Sequence, residues 1–309
     1  MAAGQSGELY ASAYARAYND NIKTQMFSGV QERAITAFKW MDVRPGGDQP
    51  FEHEALWKSF GSAPVHYGNA AIEFRAPAEL GDIKANYREF WLGFATDYTF
   101  TTKRGTREKI PDLAKMVGRS INSTARGVGA EVFNQAFSTT YPTAADTAAL
   151  ISASHTSDGG TVNNLVTGNP PLNRTSLEDA LTILYTTQDW ANNDLDLPAG
   201  TLLVGGGINR FRGSELLFTT NGKVETAVND RNVFQDENIQ LLTETAAVNT
   251  ARWMLIAATG FHSARLFMEA ITPFGPGMDE KTGTYFASLR TALTWLVQDW
   301  RGFVGSNPT

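Results

Sequence analysis

The chain has 309 residues, of which 42% are hydrophobic and 19% are charged, and its formal net charge is -6 at pH 7. This composition is typical of a globular protein with one large domain or two interlocked ones, and it argues against a nucleic-acid-binding surface, which needs clustered Lys and Arg. The lack of cysteine excludes disulfides, thiolate nucleophiles and zinc–cysteine sites and favours folding inside a cell. The N-terminus shows no secretory signal, and the longest apolar run, Trp253 to Ala258, is too short to span a membrane.

An amphipathic helix is predicted close to the N-terminus. Its residues at helical spacing are Ala11, Tyr14, Ala15, Tyr18 and Ile22. The aromatic side chains of this pattern are interpreted as packing groups rather than ligand-binding groups. The pattern ends at a segment rich in proline and glycine, residues 45–50.

Two segments with strand character follow, at Ala71 to Phe74 and at Phe94 to Phe100. The sequence between them, with Ala76-Pro77 and Gly81-Asp82, is typical of loops. Two extended segments arranged in this way predict a long projecting hairpin. Because a two-stranded projection is only marginally stable alone, it is expected to rest on a neighbouring subunit.

The longest predicted element is a helix from Glu108 to Phe137, the spine helix. Its apolar face contains Ile110, Leu113, Val117, Ile121, Val128 and Val132, and its polar face contains Lys115, Arg119, Asn122, Ser123, Arg126 and Gln135. Pro111 suits the first turn, where its missing N–H costs little. Gly118, Gly127 and Gly129 each cost about 1 kcal/mol relative to Ala inside a helix, so the spine helix is expected to bend.

A cluster of positive charge marks the start of the spine helix, where it opposes the helix dipole. Its members are Lys103, Arg104, Arg107 and Lys109. One interpretation is a solvated hinge. The other is a contact with acidic groups of an adjacent chain, which charge reversal at Arg104 and Arg107 would disrupt.

A mixed α+β or α/β body is predicted for the second half of the chain. A loop with short elements from Ser138 to Arg174 leads to a helix that starts at a capping box of Thr175 and Glu178 and ends near Asn192-Asn193. The further elements are a strand at Thr201 to Val204, a helix at Ile208 to Phe218, an exposed loop between Thr219 and Glu237, and strands at Ile239 to Leu242, Trp253 to Ala258 and Ala264 to Glu269. The tail, Thr284 to Val304, is predicted to return as a long strand beside the spine helix.

Two stretches suggest chemistry that their spacing does not support. Ser154, His155 and Asp158 lie close together like hydrolase residues, but adjacent side chains rarely converge as nucleophile and base, and no G-x-S-x-G sequence surrounds Ser154. A turn around Asp158-Gly159-Gly160 is the preferred interpretation. Gly205 to Arg210 stands where a dinucleotide-binding loop would lie, yet Arg210 takes the place of the third glycine, so a glycine-rich turn is expected.

The candidate metal ligands also lack the required spacing. Asp194 and Asp196 alternate like calcium ligands, but Pro198 occupies the next position. The histidines, at positions 53, 66, 155 and 262, show no metal-binding pattern. Glu52 and Glu54, which flank the first of them, are interpreted as surface charges. No catalytic, cofactor-binding or metal-ligating residue is therefore assigned, and neither enzyme activity nor a cofactor is expected.

A resemblance to tailed-bacteriophage major capsid proteins, including the Mu-like major head subunits, rests on three stretches. The first is Leu150-Ile151-Ser152-Ala153-Ser154-His155 with Gly159-Gly160-Thr161 and Asn163, which is similar to the family's L-F-S-A-S-H, G-G-T and N pattern. The second is the capped helix at Thr175 to Trp190 with the strand that follows it. The third is the closing segment Gln298-Asp299-Trp300-Arg301-Gly302-Phe303.

The resemblance implies an α+β fold of the Hong Kong 97 type. Residues 1–44 would be the N-terminal arm and residues 45–104 the extended loop, a β-hairpin. The peripheral domain would contain the spine helix, residues 105–139, and the C-terminal strand, residues 271–309. Residues 140–270 would form the axial domain, with the polar loop at 219–237 pointing toward the capsomer axis.

The function implied by the resemblance is that of a major capsid protein of a tailed phage or prophage. Copies of the chain would form pentamers and hexamers of an icosahedral shell around double-stranded DNA, without sequence-specific binding and without a membrane. A separate scaffolding protein, a portal and decoration proteins are the further partners implied. The virion would be the final location, after assembly in the bacterial cytoplasm. An encapsulin-like nanocompartment shell and an unrelated cytosolic α/β enzyme are the alternatives.

Overall fold

The computed structural model describes residues 18–47, 49–58, 76, 78–97, 108–141, 143, 145–157, 160–218, 232–279 and 284–308. The helices are α1 (18–31), α2 (Ile110–Gln135), α3 (Arg174–Tyr185) and α4 (Ile208–Phe218). The strands are β1 (Asp42–Pro45), β2 (Phe51–Trp57), β3 (Glu79–Asn86), β4 (Arg88–Asp97), β5 (His155–Ser157), β6 (Gly160–Val162), β7 (Ala199–Gly205), β8 (Gln240–Glu244), β9 (Trp253–Ala257), β10 (Ala264–Met268), β11 (Thr272–Asp279), β12 (Thr284–Val297) and β13 (Phe303–Ser306).

The spine helix is α2, and its predicted bounds are confirmed to within two residues at each end. Pro111 lies in its first turn, and the predicted apolar positions are buried except Leu113, which is 39% exposed. Asn122 was predicted on the polar face and is buried instead. Its side-chain amide donates to the carbonyl oxygens of Val30 (2.6 Å) and Arg33 (2.9 Å). It therefore satisfies backbone acceptors at the end of α1, a pairing that the sequence of α2 alone does not reveal.

Helix α1 packs on the first half of α2. Ile22 and Met26 are fully buried there, in a cluster that also contains Ile110, Ala114, Val117, Ile121, Tyr285, Ala287 and Leu289. The helical prediction is confirmed at Tyr18 and Ile22, whereas Ala11, Tyr14 and Ala15 lie outside the described residues. An ion pair between Glu32 and Arg119 closes the contact at the surface.

A five-stranded sheet lies beside α2, and β12 runs through its middle. Strand β4 pairs with one edge of β12. On the other edge, β11 and β10 pair with successive parts of β12, and β1 pairs with the outer edge of β10. The predicted strand beside the spine helix is confirmed as β12, but it does not continue to Val304. The chain turns at Gly302 (φ +89°), where a Cβ atom would lie 2.9 Å from the carbonyl oxygen of Phe261. After this turn β13 joins the second sheet.

A hairpin is present, but its strands are β2 and β3, with Phe51 opposite Asn86 and Trp57 opposite Glu79. The predicted strand at Phe94 to Phe100 is present in part as β4, which pairs with β12 rather than with a hairpin partner. The other predicted strand, Ala71 to Phe74, lies outside the described residues. Within the described residues, β2 and β3 form a two-stranded sheet of their own. A cleft of about 720 Å³ separates β3 from the body.

The second sheet has the order β13-β9-β7-β8, with β7 and β8 parallel. On one face α3 covers β13 and β9, while α4 covers β7 and β8. These helices bury a cluster that contains Leu177, Leu184, Leu202, Leu217 and Leu255. The opposite face of the sheet packs toward the second half of α2. The prediction of α4 is confirmed at both ends, and the predicted strands correspond to β7, β8, β9 and β10.

The start and end of α3 differ from the prediction. Its N-cap is Asn173, whose side chain accepts from the backbone N–H of Ser176 at 2.9 Å, while the Ser176 hydroxyl accepts from the Asn173 N–H at 2.9 Å. The box of Thr175 and Glu178 is therefore wrong, because a suitable capping pair occurs two residues earlier. The helix ends at Tyr185 rather than near Asn192.

Candidate functional site

Of the three residues that suggested a hydrolase, only His155 lies in a buried polar cluster, which it forms with Asp146 and Asn164, and Asp158 with its predicted turn lies outside the described residues. His155 is fully buried, with Nδ1 2.8 Å from Asp146 Oδ2 and Nε2 3.0 Å from Asn164 Oδ1. Its ring stacks on Trp300 with ring centroids 4.3 Å apart. Ser154 is exposed and its backbone N–H donates to the Ser152 hydroxyl. His155 therefore packs against the closing segment of the chain through Trp300, and Ser154 is not aligned with it as a nucleophile.

Asn164 is the central connector of this cluster. Its amide nitrogen donates to the carbonyl oxygens of Leu150 (2.8 Å) and Phe303 (2.9 Å), and its amide oxygen accepts from the Ser152 N–H (2.8 Å). These partners fix the orientation of the amide, because a flip would bring like groups together at all three contacts. The sequence pattern pointed to the exposed neighbour Asn163. Only the hydrogen bond to Phe303 in β13, which the sequence does not reveal, distinguishes Asn164 from Asn163.

Asp146 is held in its charged form. Burial raises the pKa of its carboxyl, but the hydrogen bond from His155, the histidine's charge and the backbone N–H groups of Thr156 and Ala148 together lower this pKa below the ordinary value. The Thr143 hydroxyl also donates to Asp146 Oδ1, at 3.1 Å. The sequence contained no local signal for this role, since nine residues separate Asp146 from His155.

The buried polar cluster is connected to the hairpin through Gln298. The Ala145 N–H, next to Asp146, donates to the Gln298 carbonyl at 3.1 Å. The Gln298 side-chain amide donates to the Ala55 carbonyl in β2 at 3.2 Å. The position of the hairpin therefore depends on the same loop that packs around His155.

The base of the hairpin is fixed by Glu52 and Glu54, which were interpreted as surface charges. That interpretation is wrong. Glu52 Oε1 accepts from the Tyr87 hydroxyl at 2.5 Å and from the Gly47 N–H at 3.0 Å. Burial and the hydrogen bond to Glu52 raise the pKa of Tyr87 above its ordinary value. Glu54 forms ion pairs with Arg265 and, at 3.6 Å, with Arg44, so both carboxylates tie the hairpin to the body.

Beyond this base, the outer face of the five-stranded sheet exposes an aromatic patch of Trp91, Phe274 and Phe286. Trp91 is 55% exposed and stacks on Phe274, with ring centroids 4.8 Å apart. Gly93 of β4 lies close against β12, since a Cβ atom there would lie 2.7 Å from the Ala287 carbonyl oxygen. Large exposed aromatic side chains that lie together mark surfaces for association.

The glycine-rich segment before α4 serves packing and a turn. Gly205 lies against the chain after β8, so that a Cβ atom would approach the Asn249 carbonyl oxygen to 2.8 Å, and Gly207 has φ +75°. The Asn209 side chain donates to the Ala251 carbonyl at 2.5 Å. These contacts support the interpretation as a strand-to-helix turn.

The candidate metal ligands are dispersed. Asp194 accepts from the Gln188 amide at 3.1 Å, and His53 lies 2.7 Å from Asp82 on the hairpin. Burial lowers the pKa of His262, which packs against Trp40. Within the part of the chain that the structure describes, no group of three or more Asp, Glu and His side chains could hold a metal ion.

Among the described residues, no helix combines the length and the apolar character that a membrane span requires. The predicted cationic cluster lies outside these residues except for Lys109, which is exposed at the N-cap of α2.

Comparison with known proteins identifies the fold. No family model and no curated protein matches the sequence. The structure superposes on the virus-like particle from Pyrococcus furiosus with a TM-score of 0.53 and 12% identity, covering 93% of this chain and 98% of that chain. The capsid of a native GTA particle gives a TM-score of 0.52 and 11% identity over 88% and 90% of the two chains. The procapsid of bacteriophage JBD30 gives 0.50 and 11% over 96% and 76%. The chain has the Hong Kong 97-type capsid fold, as its sequence predicted.

Proposed function

We propose that this chain is the major capsid protein of a tailed bacteriophage or prophage and assembles into a closed icosahedral shell. The observation that carries the proposal is the hairpin of β2 and β3, which is tied to the body by Glu52, Glu54 and the Gln298–Ala55 hydrogen bond and is separated from it along β3 by a cleft of about 720 Å³. An isolated pair of strands leaves two edges unpaired, and a neighbouring copy can cover them.

The exposed aromatic patch supports the same proposal. Trp91, Phe274 and Phe286 lie on a sheet whose other face is already filled by α1 and α2. Covering these rings with a second copy removes apolar surface from water, at roughly 25 cal/mol per Å². The role proposed is structural, without catalysis or a cofactor.

A division of the chain follows from this role. Residues 1–44 would be an arm, residues 45–104 an extended loop, and residues 105–139 with 271–309 a peripheral domain. Residues 140–270 would be the axial domain that meets its copies in pentamers and hexamers. Two observations favour this division, since α2 and β12 pack together while the second sheet has its own cluster with α3 and α4. Its bounds do not follow the sheets, because β4 and β10 pair in the sheet beside α2 and β13 pairs in the second sheet.

The remaining partners follow from the biology of a capsid. A shell of this kind encloses double-stranded DNA by confinement, so a net charge of -6 is no obstacle. A separate scaffolding protein, a portal and decoration proteins would be the further partners. Assembly would take place in the bacterial cytoplasm, and the virion would be the final location.

A cellular nanocompartment shell is the second candidate, favoured by the likeness to the Pyrococcus furiosus particle. Both candidates require the same self-association and differ in the contents of the shell. DNA in purified particles supports the capsid, whereas encapsulated proteins support the nanocompartment.

The test of self-association is gel filtration followed by negative-stain microscopy of the purified chain, alone and with the proteins encoded beside it. We expect rings of five or six subunits and closed particles. A compact monomer under every condition would contradict the proposal, as would a small oligomer that never closes.

A further inference from the structure

Helix α4 exposes an apolar stripe on the side that faces away from its sheet. Ile208, Phe211 and Phe218 are 67%, 75% and 61% exposed, and their spacing places them on one side of the helix. The exposed Glu215 lies on the same side, one turn after Phe211. The opposite side is also apolar, since Gly213 and Leu217 are buried against the sheet. A helix with two apolar sides is typical of one that packs between two bodies.

Positive charge flanks the stripe. Arg210 and Arg212 are exposed on its two sides, and neither forms an ion pair with any residue that the structure describes. Apart from Glu215, this side of α4 combines exposed apolar side chains with arginines at its margins, and aromatic residues and Arg are enriched in protein–protein contacts. Two arginines against one glutamate leave a net positive charge, which favours an acidic partner surface over a basic one.

Helix α3 offers such a surface at the other edge of the same sheet. Its exposed side contains Thr175, Asp179, Thr182 and Thr186, with Glu178 beside them. The hydroxyls of Thr182 and Thr186 donate to the carbonyl oxygens one turn earlier, at 2.9 Å and 2.8 Å. Because these hydroxyls are already paired, the two threonines present methyl groups to a partner. Glu178 is paired with Arg174 at 2.9 Å, so Asp179 supplies the net negative charge of the α3 surface beside its apolar contacts.

We propose that the α4 stripe of one copy docks on the α3 surface of the next copy in a ring. The two surfaces differ, are complementary in charge and lie over opposite edges of the β13-β9-β7-β8 sheet. A contact between two different surfaces of one chain repeats from copy to copy and closes a ring when the rotation allows it. The inference rests on the proposed shell function and names the surfaces that build its rings.

Substitution of Phe211 tests the apolar part of the proposed contact. Phe211→Ser removes the most exposed ring, whereas Phe211→Leu keeps an apolar side chain and is the matched control. We expect Phe211→Ser to weaken ring formation at least about 30-fold, as for loss of a central aromatic contact, and Phe211→Leu to keep it near wild type. Sedimentation velocity measures both. Wild-type assembly by Phe211→Ser would overturn the inference and leave the shell function standing.

Charge exchange tests the choice of partner surface and does not depend on the apolar variants. Arg210→Glu with Arg212→Glu should weaken ring formation, and so should Asp179→Arg. All three changes in one chain should restore it in part, because opposite charges again face each other. The docking would be overturned if the arginine double variant or Asp179→Arg assembled like the wild type. It would also be overturned if the chain with all three substitutions assembled no better than these variants.

The reactivity of a cysteine introduced beside the stripe shows whether the stripe is covered. Ser214 is exposed on α4 and the chain has no cysteine, so Ser214→Cys carries the only thiol. We expect a maleimide reagent to label this thiol in the monomer fraction and to be excluded from it in assembled particles. Labelling in both states would overturn the docking, and protection in both states would assign the stripe to a segment of its own chain. Absence of any assembly by the unaltered chain would instead overturn the shell function together with the inference.

Discussion

Gly29 of α1 and Gly118 of α2 meet without side chains between them. A Cβ atom on Gly29 would lie 3.1 Å from the Gly118 Cα, and one on Gly118 would overlap the Met26 carbonyl oxygen. The closeness of the two helices therefore depends on both glycines. The sequence showed Gly118 only as a weak point of the spine helix, because its partner lies in another helix.

Gly118→Ala is expected to destabilise the fold by about 1–3 kcal/mol, since the added methyl group forces α1 away from α2. Gly127→Ala is the matched control on the same helix, because a Cβ atom there meets nothing within 4 Å. That variant should be as stable as the wild type or gain up to about 1 kcal/mol from helix propensity. Urea unfolding of the two variants measures the difference, and equal stability would contradict the packing account.

The spine helix was expected to bend at its glycines, and for the proposed shell we predict that this bend lies at Gly127 when precursor particles expand. The room beside Gly118 is taken by α1, and a Cβ atom on Gly129 would lie 2.6 Å from the Ala37 Cβ. Gly127 is the one of the three where an added Cβ atom meets nothing within 4 Å, so alanine there removes the backbone freedom of glycine without adding a clash. Gly127→Ala should slow the conversion of precursor particles to expanded ones, measured by time-resolved light scattering. An unchanged rate would contradict a hinge at Gly127.

Asn164→Ala should destabilise the protein by about 2–4 kcal/mol, because it leaves buried carbonyl and N–H groups without partners. Asn163→Ala is the control at the neighbouring position, where the side chain is exposed and its oxygen accepts from the Leu165 N–H at 2.7 Å. Its cost should stay below about 1 kcal/mol. Thermal or urea unfolding distinguishes the two, and equal costs would show that Asn164 is not the connector.

Asp146 should make stability depend on acid pH. A carboxyl whose folded pKa is lowered contributes stability in full above its unfolded pKa, and this contribution is lost as pH falls through the lower folded value. The loss is therefore expected below the ordinary pKa of 3.8. Burial raises the pKa of Asp299, which acts in the opposite direction, so the relevant quantity is the difference between wild type and Asp146→Asn. This difference in unfolding free energy should shrink on acidification from neutral pH, and a constant difference would contradict the assignment.

Trp91→Ser should reduce assembly while leaving the stability of the isolated subunit close to that of the wild type. The ring is more than half exposed in the single chain, so little buried area is lost with it. Trp91→Phe keeps an aromatic side chain and serves as the control. Native mass spectrometry counts the subunits in each assembly, and full assembly by the serine variant would exclude the aromatic patch as a contact.

The sequence predicted best where local periodicity decides the structure. Helices α2 and α4 and strand β9 have apolar patterns that identify them without tertiary information. The placement of the Phe94 segment in the hairpin was wrong, and β2 was not predicted, because β2 carries charged residues whose partners, such as Arg265, lie far away in the chain. The buried polar cluster was not predicted for the same reason, since Asn164 meets Phe303 across 139 residues. Long-range pairing of this kind leaves no local pattern.

The most direct test of the central claim is a cryo-electron microscopy map of assembled particles, in which the position of the hairpin of β2 and β3 can be traced. The account predicts a closed shell in which each hairpin lies on a neighbouring subunit. A closed shell whose hairpins fold back on their own subunits would contradict it, and so would a protein that remains monomeric.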